Sequence, residues 1–324
     1  MPSLQENRRS PRVLPAELDA RAVLAIRDLE LRTRVVVEGL RAGLHRSPYT
    51  GFSVEFTEYR GYSPGDDLRY LDWRVLARTE RYVLRKYEEE TNVRCWLLLD
   101  TSRSMGFASR PGGSKADYAR TLVAALAWFF HGQRDVVGTA LFDSSVHDIV
   151  PPRWRPGHLR HILALLAREP AGRATDLGLA LRQLARLARR RSVIIVVSDF
   201  LTPPADWSQA LTELSAAGHD VRALRVLDPA EPRLGQLESA GWWEDLESGE
   251  LRYVDPALAR PDYTSRYDTH MREVQQAFDR ARVTSLSAAT DEALDRVLLR
   301  FLRLTQHQRG HHPLRHRANA AALR

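Results

Sequence analysis

The chain has 324 residues, 44% of them hydrophobic and 27% charged, which is the balance of a globular protein with room for one large domain and a smaller one. Its single cysteine, Cys95, excludes a disulfide framework and a cysteine-based zinc site. The formal net charge of +7 is concentrated towards the ends, with three arginines and one glutamate in residues 1–12 and four arginines and no acid in residues 306–324. So little excess charge remains on the body that a broad nucleic-acid-binding face is not expected.

The two ends of the chain are expected to lie outside the folded part. Residues 1–15 contain three prolines and are predicted to be a flexible leader, and residues 306–324 are predicted to be a basic disordered tail. Residues 1–25 lack the apolar core of a signal peptide. No apolar stretch approaches the roughly 20 residues that a membrane-spanning helix needs. We therefore expect a cytoplasmic protein that does not insert into membranes.

Residues 16–92 are predicted to form a small N-terminal α+β lobe. Apolar residues recur at helical spacing over residues 16–44, which predicts helix. Residues 45–66 alternate between apolar and polar residues and then reach Pro64–Gly65, a pattern typical of a strand followed by a turn. Residues 71–90 are predicted to be a second extended region.

Residues 93–305 alternate between predicted strands and helices, which indicates an α/β domain with a doubly wound, mainly parallel sheet. The predicted strands are 94–99, 136–142, 145–150, 192–198, 220–227 and 283–287. The predicted helices are about 114–131, 157–168, 176–190, 206–217, 262–281 and 291–305. Two residues separate the second and third strands, too few for a parallel crossover, so the third should be an antiparallel edge strand. A hairpin insertion is expected at about 241–255, turning at Ser248–Gly249.

The tryptophans divide into two groups in these predictions. Trp73, Trp96 and Trp128 are expected in the core. Trp242 and Trp243, beside the predicted hairpin, are better candidates for binding anchors, although buried packing is expected for them too.

Five small oxygen-bearing side chains are candidate metal ligands: Asp100, Ser102, Ser104, Thr175 and Asp199. Asp100 and Asp199 each follow an apolar run, Cys95–Leu99 and Val193–Val197, that is typical of a buried parallel strand. In an open α/β sheet, ligands bind in the crevice beyond the carboxyl ends of the strands. Two carboxylates with neutral hydroxyls form a ligand set that suits Mg²⁺ or a similar divalent ion.

The same residues have a purely structural interpretation, since small polar side chains also cap helices and strand ends. Asp176, next to Thr175, illustrates the choice. It could be an additional metal ligand, but its position before an apolar helical pattern favours helix N-capping.

The pattern D-x-S-x-S at Asp100–Ser104 resembles the metal-ion-dependent adhesion site of von Willebrand factor A (VWA) domains. Thr175 begins the sequence T-x-x-G-x-A-L, and Asp199 ends the next strong strand, as in that family. The resemblance implies a VWA-like fold and a divalent ion bound by the five residues. It also implies that a carboxylate of a partner protein completes the coordination of the ion.

The preceding segment resembles the signature of the bacterial "domain of unknown function 58" family. The matching short motifs are Glu58-Tyr59-Arg60, Pro64-Gly65-Asp66-Asp67, Asp72-Trp73 and Ala77-Arg78. The resemblance implies a MoxR-type AAA+ ATPase as partner and a chaperone-like role in assembling or activating a client protein. Five charged residues of this segment have two possible roles. They could face a partner, or they could form an internal salt-bridge network that docks the N-terminal lobe on the VWA-like domain. The five are Asp66, Asp67, Arg69, Asp72 and Arg74.

The common catalytic motifs are missing from the sequence. It contains no P-loop, no G-x-S-x-G elbow and no H-E-x-x-H helix. A haloacid-dehalogenase-type phosphatase needs a second aspartate, its general acid, two residues after the first, and position 102 is serine here. The sequence also offers no histidine near the five residues as a general base. We therefore predict a non-catalytic, metal-dependent protein-interaction module. The alternatives are a metal-dependent hydrolase acting on phosphoesters and nucleic-acid binding through the arginine-containing ends.

Overall fold

The structure is a computed structural model, and it describes residues 19–45, 58–62, 71, 73–79, 81–86, 93–110, 113–168, 172, 174–233, 240–245 and 249–309. The predicted leader at residues 1–15 and residues 310–324 of the predicted tail lie outside these ranges. Residues 306–309 belong to a helix that ends at Arg309, so the prediction of a disordered tail from residue 306 is wrong at these four positions. Within the described ranges, no helix is long and apolar enough to cross a membrane.

The described N-terminal residues form three helices and a two-stranded antiparallel sheet. In chain order the elements are α1 (Ala20–Leu24), α2 (Leu29–His45), β1 (Glu58–Gly61), α3 (Trp73–Thr79) and β2 (Val83–Lys86). The predicted extended region over 71–90 is therefore wrong at residues 73–79, which are helical. Trp73 was expected in the core, but 63% of it is exposed.

A six-stranded sheet forms the centre of the remaining chain. Its strands run in the order β10-β7-β6-β3-β4-β5, and all adjacent pairs are parallel except β4 and β5. The bounds are β3 (Arg94–Asp100), β4 (Val136–Phe142), β5 (Val146–Arg153), β6 (Val193–Ser198), β7 (Asp220–Leu227) and β10 (Thr284–Ala289). This arrangement confirms the predicted VWA-like α/β fold with one antiparallel edge strand.

Six helices cover the two faces of this sheet. They are α4 (Lys115–Gly132), α5 (His158–Leu166), α6 (Leu177–Leu187), α7 (Pro204–Ala216), α8 (Pro256–Arg280) and α9 (Leu294–Arg309). One face packs against α4, α5 and α9, with α2 lying on α4 and α9, and the other face packs against α6, α7 and α8. Because successive strand residues point to opposite faces, Leu97 and Leu99 belong to the first core and Trp96 and Leu98 to the second. The burial of Trp96 confirms its predicted core position.

Helix α8 begins earlier than the predicted start at residue 262. Its N-cap is Asp255, whose carboxylate accepts a hydrogen bond from the backbone N–H of Ala257 at 2.9 Å. Pro256 occupies the first turn, where a proline loses no helical hydrogen bond. Pro261 lies inside the helix, one residue before the predicted start.

The predicted hairpin is present as β8 (Gly241–Glu244) and β9 (Leu251–Val254). Trp242 pairs with Tyr253 across the two strands, and their rings make an edge-to-face contact with centroids 5.6 Å apart. Trp242 is 71% exposed, so the expected burial of this residue is wrong.

Gly178 fixes how closely α6 approaches α7. A Cβ at this position would overlap the backbone carbonyl oxygen of Asp206, which is part of α7. The glycine of the T-x-x-G sequence therefore has a packing role that is independent of any ligand.

We expect Gly178→Ala to lower the free energy of unfolding by about 1–3 kcal/mol, because the added methyl forces two packed helices apart. The matched control is Gly132→Ala in α4, where the nearest neighbour of the methyl is the side chain of Arg41 at 3.7 Å. Thermal denaturation followed by circular dichroism measures both. Equal melting temperatures for Gly178→Ala and the wild type would contradict the packing argument.

Candidate metal centre

Asp100 and Asp199 lie side by side at the carboxyl edge of the sheet. Asp100 is the last residue of β3, Asp199 directly follows β6, and the two strands are parallel neighbours with Leu99 opposite Val197. Both aspartates are buried. The fold thus brings together two of the five predicted ligands that are 99 positions apart in the sequence.

Ser102 and Ser198 donate hydrogen bonds to Asp100, and Ser104 lies next to Ser102. Its Oδ1 accepts a hydrogen bond from the backbone N–H of Ser102 at 2.9 Å, and its Oδ2 accepts one from Ser198 Oγ at 2.6 Å. The Oγ atoms of Ser102 and Ser104 lie 3.1 Å apart, because a 3₁₀ turn at Arg103–Gly106 folds the loop back on itself. The two serines of the D-x-S-x-S motif therefore present their oxygens as a pair beside the carboxylate.

Sequence reasoning missed Ser198, although it directly precedes Asp199. Its hydroxyl also accepts a hydrogen bond from the backbone N–H of Phe200 at 3.1 Å. Ser198 therefore connects the ends of β3 and β6.

The two carboxylates repel each other. Burial raises the pKa of Asp100 to about 7, the charge of Asp199 adds to the rise, and hydrogen bonds from Ser198 and Ser102 limit it. A bound cation would relieve this repulsion. The pair thus favours a cation at this edge of the sheet.

Asp199 already has one internal cation as a partner. The Nζ atom of Lys115 lies 2.8 Å from Asp199 Oδ2 and 2.5 Å from Glu231 Oε1, and only 1% of the lysine side chain is exposed. Burial disfavours the ammonium charge, but the carboxylates of Asp199 and Glu231 outweigh it and raise the pKa of Lys115 to about 12. Sequence reasoning did not associate Lys115 or Glu231 with the site, since neither belongs to the motif.

Thr175 lies in the loop that leads into α6, and it is half-buried. The next residue, Asp176, donates its backbone N–H to the carbonyl of Asp143 at 3.0 Å, and Asp143 directly follows β4. This bond holds the Thr175 loop at the same sheet edge as the two carboxylates. The side chain of Asp176 accepts from the backbone N–H of Leu179 at 2.7 Å, which confirms its predicted role as a helix N-cap.

The donor set fits a hard divalent ion that keeps several waters. Two buried carboxylates and a hydroxyl pair are oxygen ligands of the type that Mg²⁺ prefers. Among the described residues, no group of three or more histidine, cysteine or carboxylate side chains is arranged to hold a metal. Any ion at this edge would therefore depend on hydroxyl oxygens as well as on carboxylates.

The structure describes one of the five candidate partner-binding residues. Asp66, Asp67, Arg69 and Asp72 lie outside the described residues. Arg74 is placed by its backbone in α3. The choice between a partner-facing surface and an internal network for these five residues stays open.

A histidine lies closer to the site than the sequence indicated. The hydroxyl of Thr101, which follows Asp100, donates to the carbonyl of Phe142 at 2.8 Å and lies 3.1 Å from His147 Nε2. The other ring nitrogen, His147 Nδ1, lies 3.0 Å from Asp148 Oδ2. The antiparallel pairing of β5 with β4 brings His147 to this edge, so the expectation that no histidine is near was wrong.

Solved structures with a similar fold were found at low sequence identity. An aerotolerance-related membrane protein from Bacteroides fragilis is 16% identical, with 66% of this chain and 99% of that chain covered and a TM-score of 0.47. The conserved hypothetical protein BatB from Bacteroides thetaiotaomicron is 15% identical, with the same coverage and a TM-score of 0.44.

Relatives in sequence were found in mycobacteria. Uncharacterized proteins of Mycobacterium tuberculosis and Mycobacterium bovis are 32% identical over 298 residues, which cover 90% of this chain and 92% of each relative. Residues 58–273 match the family described as "Protein of unknown function DUF58". Since the match spans more than half of the chain, the protein belongs to this family.

Proposed function

We propose that the chain is a non-catalytic protein-interaction module that binds an acidic partner through a divalent ion. The observation that supports this most directly is the pairing of two buried carboxylates with the hydroxyls of Ser102 and Ser104 at one edge of the sheet. This oxygen set gives an ion limited charge compensation. Two carboxylates only just balance a divalent ion, so it would still attract a further carboxylate, which a partner's aspartate or glutamate would supply.

In this proposal the ion is Mg²⁺, and the residues that hold it are Asp100, Ser102, Ser104, Thr175 and Asp199. The bound ion would act as a Lewis acid that attracts a carboxylate oxygen. The protein's own residues would orient the ligands: Ser198 holds Asp100 and Lys115 holds Asp199. Both ligands are therefore positioned before a partner arrives.

We further propose that the module acts in the cytoplasm with a MoxR-type AAA+ ATPase in the chaperone-like assembly or activation of a client protein. Membership of the family supports this part of the proposal. The client would be the protein whose acidic side chain reaches the ion.

Asp100→Ala is expected to abolish partner capture, because of the two aspartates at the site it removes the one that is not paired with Lys115. The measurement is affinity capture from native lysate in Mg²⁺, with an AAA+ ATPase identified by mass spectrometry among the recovered proteins. EDTA should have the same effect on the wild type. The control is Asp262→Ala, which removes an exposed carboxylate on α8 that pairs with Arg266 at 2.9 Å.

Capture of the same ATPase by the Asp100→Ala protein and in EDTA would contradict the proposal. The docking surface would then have to be independent of the ion. Circular dichroism of the variant separates lost capture from lost folding.

A metal-dependent hydrolase is the second candidate, and His147 is the observation that favours it. His147 lies beside this edge with Asp148 at Nδ1. Its Nε2 donates to Thr101, whose own hydrogen goes to the Phe142 carbonyl, so His147 could activate water for attack on a phosphoester only after Nε2 has left Thr101 and lost its proton. The hydroxyl of Thr101 already donates to the Phe142 carbonyl, so Thr101 itself is a poor nucleophile.

We expect the wild type to hydrolyse p-nitrophenyl phosphate in Mg²⁺ no faster than the His147→Gln variant does. His147→Gln should also capture the ATPase as well as the wild type, because the histidine is not among the proposed ligands. Turnover by the wild type that His147→Gln loses would favour the hydrolase. Release of p-nitrophenolate measured by absorbance decides between them.

A further inference from the structure

We propose that Lys115 sets the ion affinity of the metal centre by holding Asp199 in a buried salt bridge. The lysine limits how much negative charge Asp199 offers to the ion, so the ion binds weakly alone and more tightly with an acidic partner. This inference rests on the function proposed above and assigns a role to a residue outside the five-residue motif.

The position of Lys115 is fixed from its backbone outwards. It is the first residue of α4, directly after the N-cap Ser114, whose side chain accepts from the backbone N–H of Asp117 at 3.1 Å. The Lys115 N–H donates to the carbonyl of Phe107 at 3.1 Å. The helix start is thus anchored to the loop that follows the D-x-S-x-S motif, and the side chain extends towards the carboxylates from there.

The ammonium group is held between two carboxylates. It donates to Asp199 Oδ2 at 2.8 Å and to Glu231 Oε1, and the other Glu231 oxygen accepts from the backbone N–H of Asp228 at 3.0 Å. Glu231 belongs to a 3₁₀ turn at Glu231–Arg233, which follows β7. Three separate parts of the chain therefore hold the lysine charge beside one proposed ligand.

The charge balance gives the direction of the effect. Asp199 Oδ2 is engaged by Lys115, and Oδ1 accepts a long hydrogen bond from the backbone N–H of Leu201 at 3.3 Å. A divalent ion at this site would therefore meet two different carboxylates. Asp100 is not paired with Lys115, whereas Asp199 already is. Removing the ammonium leaves Asp199 more negative towards the ion, and its affinity should rise.

A purely structural salt bridge would behave differently. Buried ion pairs can often be replaced by apolar or neutral side chains of similar size with little loss of stability. Such a replacement would leave ion affinity unchanged if the pair served only the fold, and would lower it if the lysine mainly oriented Asp199. A rise in affinity is expected only if the lysine competes with the ion.

The experiment is isothermal titration calorimetry of Mn²⁺ and Mg²⁺ into the full chain. The test variant is Lys115→Met with Glu231→Gln, which removes one charge of each sign and keeps the side-chain sizes. We expect it to bind the ion about tenfold more tightly, the lower end of the effect that neighbours of metal ligands typically have. Stabilisation by the ion in thermal denaturation should increase accordingly.

Glu231→Gln alone is the matched control, and its effect should have the opposite sign. It keeps the lysine but removes the competing carboxylate, so the ammonium interacts more fully with Asp199 and the ion binds more weakly. If the double variant does not fold, this single variant decides, and affinity equal to or above that of the wild type would overturn the inference.

The outcomes separate this inference from the proposed function. Tighter binding by the double variant and weaker binding by Glu231→Gln support the role of Lys115. Equal or weaker binding by a folded double variant overturns that role and leaves the metal centre intact. Absence of ion binding in the wild type and in both variants overturns the metal centre and the inference together.

Discussion

The repulsion between two buried carboxylates is the constraint on which the rest of the site depends. The parallel pairing of β3 and β6 places Asp100 and Asp199 next to each other beyond the last apolar residues of both strands. In a buried setting such a pair is unfavourable unless donors or cations surround it. Ser198 and Lys115 meet this need from inside the protein, and an ion would meet the rest.

This constraint also explains why distant segments converge on one edge of the sheet. Lys115 reaches Asp199 from the start of α4, and Glu231 reaches Lys115 from the turn after β7. Asp228 extends the connection, since its carboxylate accepts from the backbone N–H groups of Ser109 at 3.0 Å and Ala230 at 2.8 Å. The loop after the D-x-S-x-S motif and the turn after β7 are thus connected through side chains that are not among the proposed metal ligands.

The sequence predicted those features that depend on local pattern. Apolar runs ending in aspartate placed Asp100 and Asp199 at strand ends, and Asp176 before a helical pattern was recognised as an N-cap. Ser198 and Lys115 were missed because their roles arise only when separate elements pack together. His147 was missed for the same reason, since the pairing of β5 with β4 brings it to Thr101.

Trp73 and Trp242 show the limit of reasoning from residue type. Large aromatic residues are usually buried, and both were expected in packed positions. They lie instead on α3 and on the β8–β9 hairpin, outside the two cores that cover the main sheet. Composition indicates how much apolar area a chain can bury, but which aromatic stays exposed depends on which elements pack against each other.

The backbone after β6 indicates that the site is built before any ligand binds. Phe200 has φ +55°, a left-handed conformation that is unfavourable for a bulky residue. Ser198 Oγ accepts from its N–H, His270 Nε2 lies 2.9 Å from its carbonyl oxygen, and its ring packs edge-to-face on Phe278. Strained conformations persist only where the surroundings fix them, and they cluster at functional sites. Because this packing fixes the backbone beside Asp199, an ion would not have to order that part of its site.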